Sequence, residues 1–522
     1  MQATYARRPI AAAGKAATAF KRAVLGLAGG VGSGVALVAA SSGLGSPLLM
    51  LGVPFGLALG VWLLLSPSVA FLLTAFIIPI ERLGRFTADN AALTISLMRI
   101  VGTVALGAFL LQALVMKKRI VFGGAFWLYS FYLLLAILGV FHTTHELGTV
   151  RAISAILGNL LFFMLVINVA RSAQLVKWSV AIWLISTVLI GLFTVYTWHF
   201  GQSVSEADLG EMSSRFSTVM ADTSEWEELD TVARASGPTS HSAVYAINLI
   251  LTLPFFFYFR KGARTLVANG IITFGLLVTL YNIFLTNTRA AILLAAAVVA
   301  FCGLRGLWRI TAGGVIAGML AIVAMLPLVP DAIWNRVLDP TNYSTQRSAT
   351  LRIRFEYWSA GIDIAGENWL TGIGVGNQVE IPKRLKDVGP EETTVHNEYI
   401  MTAMEVGLPG WLTFFGFVGL MFAAALRAGR LSTLMPPGTA PPRDFFVAAQ
   451  VAMLSTLVYG LQVDVFHFPL KGWWLVAGLC WAMYREMAET LPRVNSGFAP
   501  TQILAPGDEH ASSIAHDHPA RA

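Results

Sequence analysis

Charge is what this 522-residue chain most lacks. Only 12% of its residues are Asp, Glu, Lys or Arg, against about 25% in an ordinary soluble domain. That deficit excludes a water-facing surface over most of the molecule. Cysteine is almost absent as well. Cys302 and Cys480 both lie inside apolar runs and say nothing of a disulfide framework. Basic patches with interleaved aromatics are missing too, so the net charge of +7 does not point to nucleic acid. No cleavable leader is evident: the first apolar run follows a long basic stretch and is itself followed by further runs.

Apolar residues are what is present instead, at 56% of the chain with a mean hydropathy of +0.67. They gather into runs near the ~20 residues that span a bilayer core. About 14 candidate spans follow, near 24–41, 47–65, 67–80, 92–115, 121–140, 153–170, 178–199, 241–258, 266–285, 289–303, 312–329, 408–426, 445–463 and 469–486. The first three alternatively form fewer, tilted helices. The expectation is an all-α polytopic membrane protein with about 12–14 transmembrane helices.

Basic residues orient those spans. Lys117, Lys118 and Arg119 share one short loop, and Arg171 and Lys177 another. Arg260, Lys261 and Arg264, then Arg305 and Arg309, then Arg427, Arg430 and Arg443 occupy later alternate loops. The positive-inside rule makes this set cytoplasmic. Both termini fall on the same side, 1–23 and a Pro/Gly/Ser/Ala-rich, disordered tail at 487–522. Transmembrane regions are expected at 24–199, 241–330 and 408–486. An acidic segment at 200–240 and a large, partly helical loop at 331–407 then lie outside. The second is too polar to span and too long to be a mere connector.

The outer face gathers the candidate chemistry. Arg234 stands in RASGPTSHSAVYA just before a span, and Arg289 in TNTRAAILLA between two spans with almost no loop. Each is either an interfacial anchor or a ligand for an anion, since guanidinium groups are always charged and fork onto phosphate oxygens. Residues 394–406 suit a short helix, broken by Gly407, Pro409 and Gly410, with His396 exposed at its start. Asn397, Met401 and Glu405 fall broadly on one face of it. A His beside an Asn, with a Glu on the same helix, suits general acid/base work better than a lone His does. Arg354 and Trp358 share a face of an amphipathic helix. Gly372, Gly374 and Gly376 lack the third glycine spacing and the preceding strand of a dinucleotide site, and read as a tight turn where backbone approaches something closely. HTTHE, with His142, His145 and Glu146, and DVFHF, with Asp464 and His467, lack an established metal-ligand order, so no metal is expected.

Taken together, RASG, TNTRAA, RFEYW with GIGVGN, and HNEYIMTAMEVGLPG resemble the O-antigen ligase/polymerase superfamily over roughly residues 230 to 430. The last segment is the most specific. The resemblance implies a glycosyltransferase-C-like membrane enzyme, metal-independent, without a cofactor and inverting. Its donor would be a glycan on undecaprenyl pyrophosphate at the periplasmic leaflet, and its acceptor a carbohydrate or lipid A–core. By the same resemblance Arg234 and Arg289 bind the pyrophosphate, and His396 acts as base on the acceptor hydroxyl or orients it. Asn397 and Glu405 orient His396, and Arg354 is either a substrate contact or a salt-bridged anchor. Two departures stand out: extra N-terminal spans, and a longer acidic outer segment in which Arg215 contests the role of Arg234. Repeat-unit polymerase and lipid A–core ligase both fit. A transporter of lipid-linked sugars is the alternative, disfavoured because the distinctive polar residues sit at one face rather than at the midplane.

Overall fold

The computed structural model describes residues 60–80, 96–201, 204–205, 218–222, 232–239, 241–308, 340–385, 395–463 and 470–497. Its first helices are α1 (Pro67–Ile77), α2 (Leu97–Val115), α3 (Gly124–Leu138), α4 (Glu146–Val169) and α5 (Ala173–Phe200). Three short strands follow, β1 (Val204–Ser205), β2 (Val219–Asp222) and β3 (Val232–Ala235). The remaining helices are α6 (Ser242–Gly262), α7 (Leu266–Leu285), α8 (Arg289–Leu304), α9 (Pro340–Glu367), α10 (Glu398–Leu431), α11 (Arg443–Tyr459) and α12 (Lys471–Gly497). Seven of them, α2 to α7 and α10, are long and apolar enough to cross a membrane. The chain is an all-α polytopic membrane protein, as its apolar runs imply. The expected spans at 24–41 and 312–329, most of 47–65 and the tail beyond residue 497 lie outside the described residues, whereas 487–497, expected as disordered tail, continue helix α12.

Hydroxylated residues just ahead of the apolar runs fix several helix starts, because a side-chain oxygen satisfies an amide that the first turn leaves open. Ser96 accepts from Arg99 N, Ser172 from Leu175 N and Thr265 from Ala268 N, each at 3.2 Å. Helix α6 is central: 83% of its most apolar stretch is buried, against 33% for α2. It packs against α7, α8 and α11, while α10 packs against α3, α11 and α12. Lipid tails are as apolar as leucine, so packing and interhelical hydrogen bonds must hold such a bundle. Asn282 supplies one: its Nδ2 donates to Gly191 O (3.1 Å) and its Oδ1 accepts from Tyr245 OH (3.0 Å), tying α5, α6 and α7 together.

Contacts between loops separate the two ends of the bundle. Arg171 donates to Arg119 O (3.2 Å), Lys261 to Gly306 O (2.9 Å), and Lys261 pairs with Asp444 at 2.7 Å. Within the set of basic loops read from the sequence, the loop at 117–119 therefore meets that at 171, and the loop at 261 meets those at 306 and 444. At the opposite end the described parts of 340–385 and 395–408 form a cap with its own apolar core of Tyr357, Ala360, Ile364, Ile381, Val395, Met401 and Met404. The 200–240 segment, read as an acidic loop, contains a small sheet of order β1-β2-β3, with β1 and β2 parallel and β2 and β3 antiparallel.

Candidate functional site

Glycines build the floor of the cap. Gly372, Gly374 and Gly376 all have positive φ, a region that L side chains rarely adopt. A Cβ on Gly372 would lie 2.3 Å from Glu405 O, and one on Gly376 2.5 Å from the Gly148 backbone. The close approach anticipated for this turn is thus to helices α10 and α4. Ile373 N donates to Met404 O (3.0 Å), Gly374 N to Glu405 O (2.9 Å) and Gly376 N to Glu405 Oε1 (2.8 Å). Asn377 fastens the other side, its Oδ1 accepting from Thr143 Oγ1 and from His145 N, both at 2.9 Å. HTTHE is therefore a seat for the turn: among the described residues, no three His, Cys, Asp or Glu side chains gather as metal ligands.

The same helix presents His396. Asn397 is the N-cap of α10, with its Oδ1 accepting from Tyr399 N (3.0 Å) and Ile400 N (3.2 Å). Its Nδ2 donates to Leu461 O (3.1 Å), and Glu398 N donates to Gly460 O (2.8 Å). The helix so begins at Glu398, later than the expected 394, and its kink at Gly407 (φ 64°) falls where the sequence placed a break. His396 has φ 51°, at a cost of about 1 kcal/mol for a non-glycine residue. Strain of this kind tends to persist at functional positions. Val395 before it is buried, and Trp358 Nε1 donates to Val395 O at 3.0 Å. His396 is half-buried, where the sequence suggested an exposed side chain. The cap's core draws Val395 inward and brings the neighbouring imidazole down with it.

Charge around His396 comes from two helices. Burial, then the Arg354 guanidinium of α9, then His241, together lower its pKa from 6.5 to about 4. The ring is therefore neutral at ordinary pH, with a lone pair available. Burial also pulls Arg354 below its ordinary value, while nearby Tyr459 acts the other way. His241 was not singled out from the sequence, although it stands immediately before α6. It caps that helix: its Nδ1 accepts from Ala243 N at 3.1 Å, which leaves the proton of a neutral ring on Nε2. A His in a cap position ahead of an apolar run was the available signal.

Arg234 and Arg289 sit at the ends of the adjoining helices. Arg234 is half-buried on β3, opposite Met220, and β3 contacts both α6 and α7. The turn after it is closed by Ser236 N and Gly237 N, which donate to Thr218 O at 2.9 and 3.0 Å. Arg289 opens α8 and is exposed, after a corner of Thr286, Asn287 and Thr288 in which Asn287 has φ 48°. Since α6 packs on α7, α8 and α11, and α11 on α10, the fold brings Arg234, Arg289, Arg354, His241 and His396 to one end of the bundle. Asn397 and Glu405 lie at the same end, but their described bonds run to backbone: Asn397 to the α10 cap and Leu461, Glu405 to the glycine turn. Arg215, Asp464 and His467 lie outside the described residues.

Such an end can hold an anion against fixed guanidinium groups while a neutral imidazole accepts a proton or a hydrogen bond. The segment that builds most of it also matches a known family, described as O-antigen ligase, over residues 274–415. That segment is similar to the O-antigen ligase family. The match supports the O-antigen ligase/polymerase superfamily for the chain and points to glycosyltransferase-like ligase or polymerase activity. The matched segment includes Arg289, Arg354, the glycine turn, His396, Asn397 and Glu405, whereas Arg234 and His241 precede it. No curated protein matches the chain.

Proposed function

We propose that this protein transfers a glycan from undecaprenyl pyrophosphate to a carbohydrate acceptor at the periplasmic face of the bacterial inner membrane, as a repeat-unit polymerase or a lipid A–core ligase. The observation that supports this reading is a neutral His396 beside Arg354, at the same end of the bundle as Arg234 and Arg289, in and beside the segment that matches the O-antigen ligase family. The acceptor hydroxyl oxygen bonds to the anomeric carbon of the donor sugar as the bond from that carbon to the pyrophosphate oxygen breaks, with inversion. The hydroxyl proton passes to His396, and undecaprenyl pyrophosphate leaves. Arg234 and Arg289 bind the pyrophosphate and offset the charge it gathers, which an acid need not then supply. The arriving anion also offsets the positive charge of Arg354 and so raises the basicity of His396 when it is needed.

Arg289→Ala and His396→Ala, each still inserted in the membrane, are expected to lose transfer from a purified undecaprenyl-pyrophosphate-linked glycan. Wild-type rates in either variant would refute the assignment. Surface glycans of a deletion strain separate the two roles: single repeats mark a lost polymerase, whereas lipid-linked polymer with uncapped core marks a lost ligase.

A further inference from the structure

Each of the three arginines at this end is accompanied by a buried polar atom without a hydrogen bond. Ser236, two residues beyond Arg234, is fully buried and its Oγ has no partner. Asn287, two residues before Arg289, is 5% exposed and its Nδ2 has none. Tyr459, within electrostatic reach of Arg354, is 1% exposed and its hydroxyl has none. Similar atoms on His145, Ser186, Trp474 and Trp481 belong to the start of α4, to α5 and to α12, which contribute none of these arginines.

Folded proteins leave few buried polar groups unpaired, because each keeps the cost of leaving water with nothing in return. Three of them, one beside each arginine, need a common explanation. A phosphate has more acceptor oxygens than guanidinium groups can occupy, and hydroxyl and amide donors match the surplus. Asn287 is held in a left-handed conformation, φ 48°, at the corner that precedes Arg289. Tyr459 ends α11 where Gly460 and Leu461 receive the bonds from Glu398 and Asn397. Its hydroxyl therefore lies at the joint between α11 and the His396 segment.

We propose that Ser236, Asn287 and Tyr459 are neutral donors that complete the anion site, each giving a hydrogen bond to an oxygen of the phosphate-linked donor that the arginines attract. The inference rests on reading the arginine end as the site of that phosphate. Charge supplies attraction and the neutral groups supply position. All three atoms are covered in this structure, so the anion reaches them by parting the segments packed over them.

The test uses the full-length protein in lipid nanodiscs, with undecaprenyl pyrophosphate as the probe and its Kd as the readout. Ser236→Ala and Tyr459→Phe remove only a hydroxyl, and Asn287→Gly keeps the positive φ while removing the amide. Each is expected to weaken binding about three- to tenfold, the worth of one neutral hydrogen bond. The Tm of the ligand-free protein should not fall in S236A and Y459F, since no existing bond is lost and an unpaired buried hydroxyl is removed. Arg289→Ala is the control for the reading beneath the proposal and should weaken binding much further. Wild-type binding in all three neutral variants, with R289A impaired, overturns the proposal and leaves that reading standing. Wild-type binding in R289A removes both. A lower ligand-free Tm in S236A or Y459F marks that side chain as structural and overturns its assignment as a donor.

Discussion

The carboxylate of Glu405 is the sharpest place to separate support from chemistry. It is fully buried, and its Oε1 accepts from Gly376 N at 2.8 Å, so it holds the glycine turn onto α10. Glu405→Ala removes that hydrogen bond and leaves the Gly376 amide without its acceptor, together about 3 kcal/mol. That energy corresponds to roughly a hundredfold greater opening of the turn. Hydrogen exchange followed by mass spectrometry, on peptides covering 370–380 of the detergent-purified protein, reads this opening directly. Glu405→Gln keeps an acceptor oxygen of the same reach and should raise exchange less than about tenfold. Unchanged exchange in E405A would sink the latch reading. Unchanged exchange with an altered pH profile of transfer would instead make Glu405 a positioning group for His396, the role its helical spacing first suggested.

Two further outcomes follow from the site. In Arg354→Gln the acid limb of kcat/KM should move to higher pH, because a positive neighbour that helps hold His396 at about 4 is gone. Burial is the larger cause, so the rise is about one pH unit at most, and a limb that stays or falls contradicts the arrangement. Asn397→Ala should lower the unfolding temperature by removing a cap worth about 1 kcal/mol and the tie to Leu461. Asn397→Asp, which keeps the capping oxygen alone, should fall between it and the wild type, and equal Tm values in all three would discount the cap.

By itself the sequence determined the class and the membrane elements. Apolar runs near the length of a bilayer core have no competing explanation in a chain with 12% charge, and helices α2 to α7 and α10 fall where those runs lie. Arg289 and His396 were legible because a charged or titratable residue at the end of an apolar run stands out against its neighbours. The tight glycine turn was legible for the same local reason, since only glycine adopts those conformations cheaply.

Tertiary structure alone decided what each polar group touches. Glu405 and Asn397 share a helical face with the spacing of an acid/base set, yet folding turns one toward Gly376 and the other toward Leu461, partners 29 and 64 residues away. His241 and Tyr459 carry no motif, and they reach the His396 and Arg354 pair only because α6 and α11 pack side by side. The strands around Arg234 escaped notice because two- to four-residue strands leave too short a periodic signal to read. Local chemistry fixes where a helix begins and which residues are unusual. Which of those residues meet depends on contacts between segments far apart in the chain, and no local pattern encodes them.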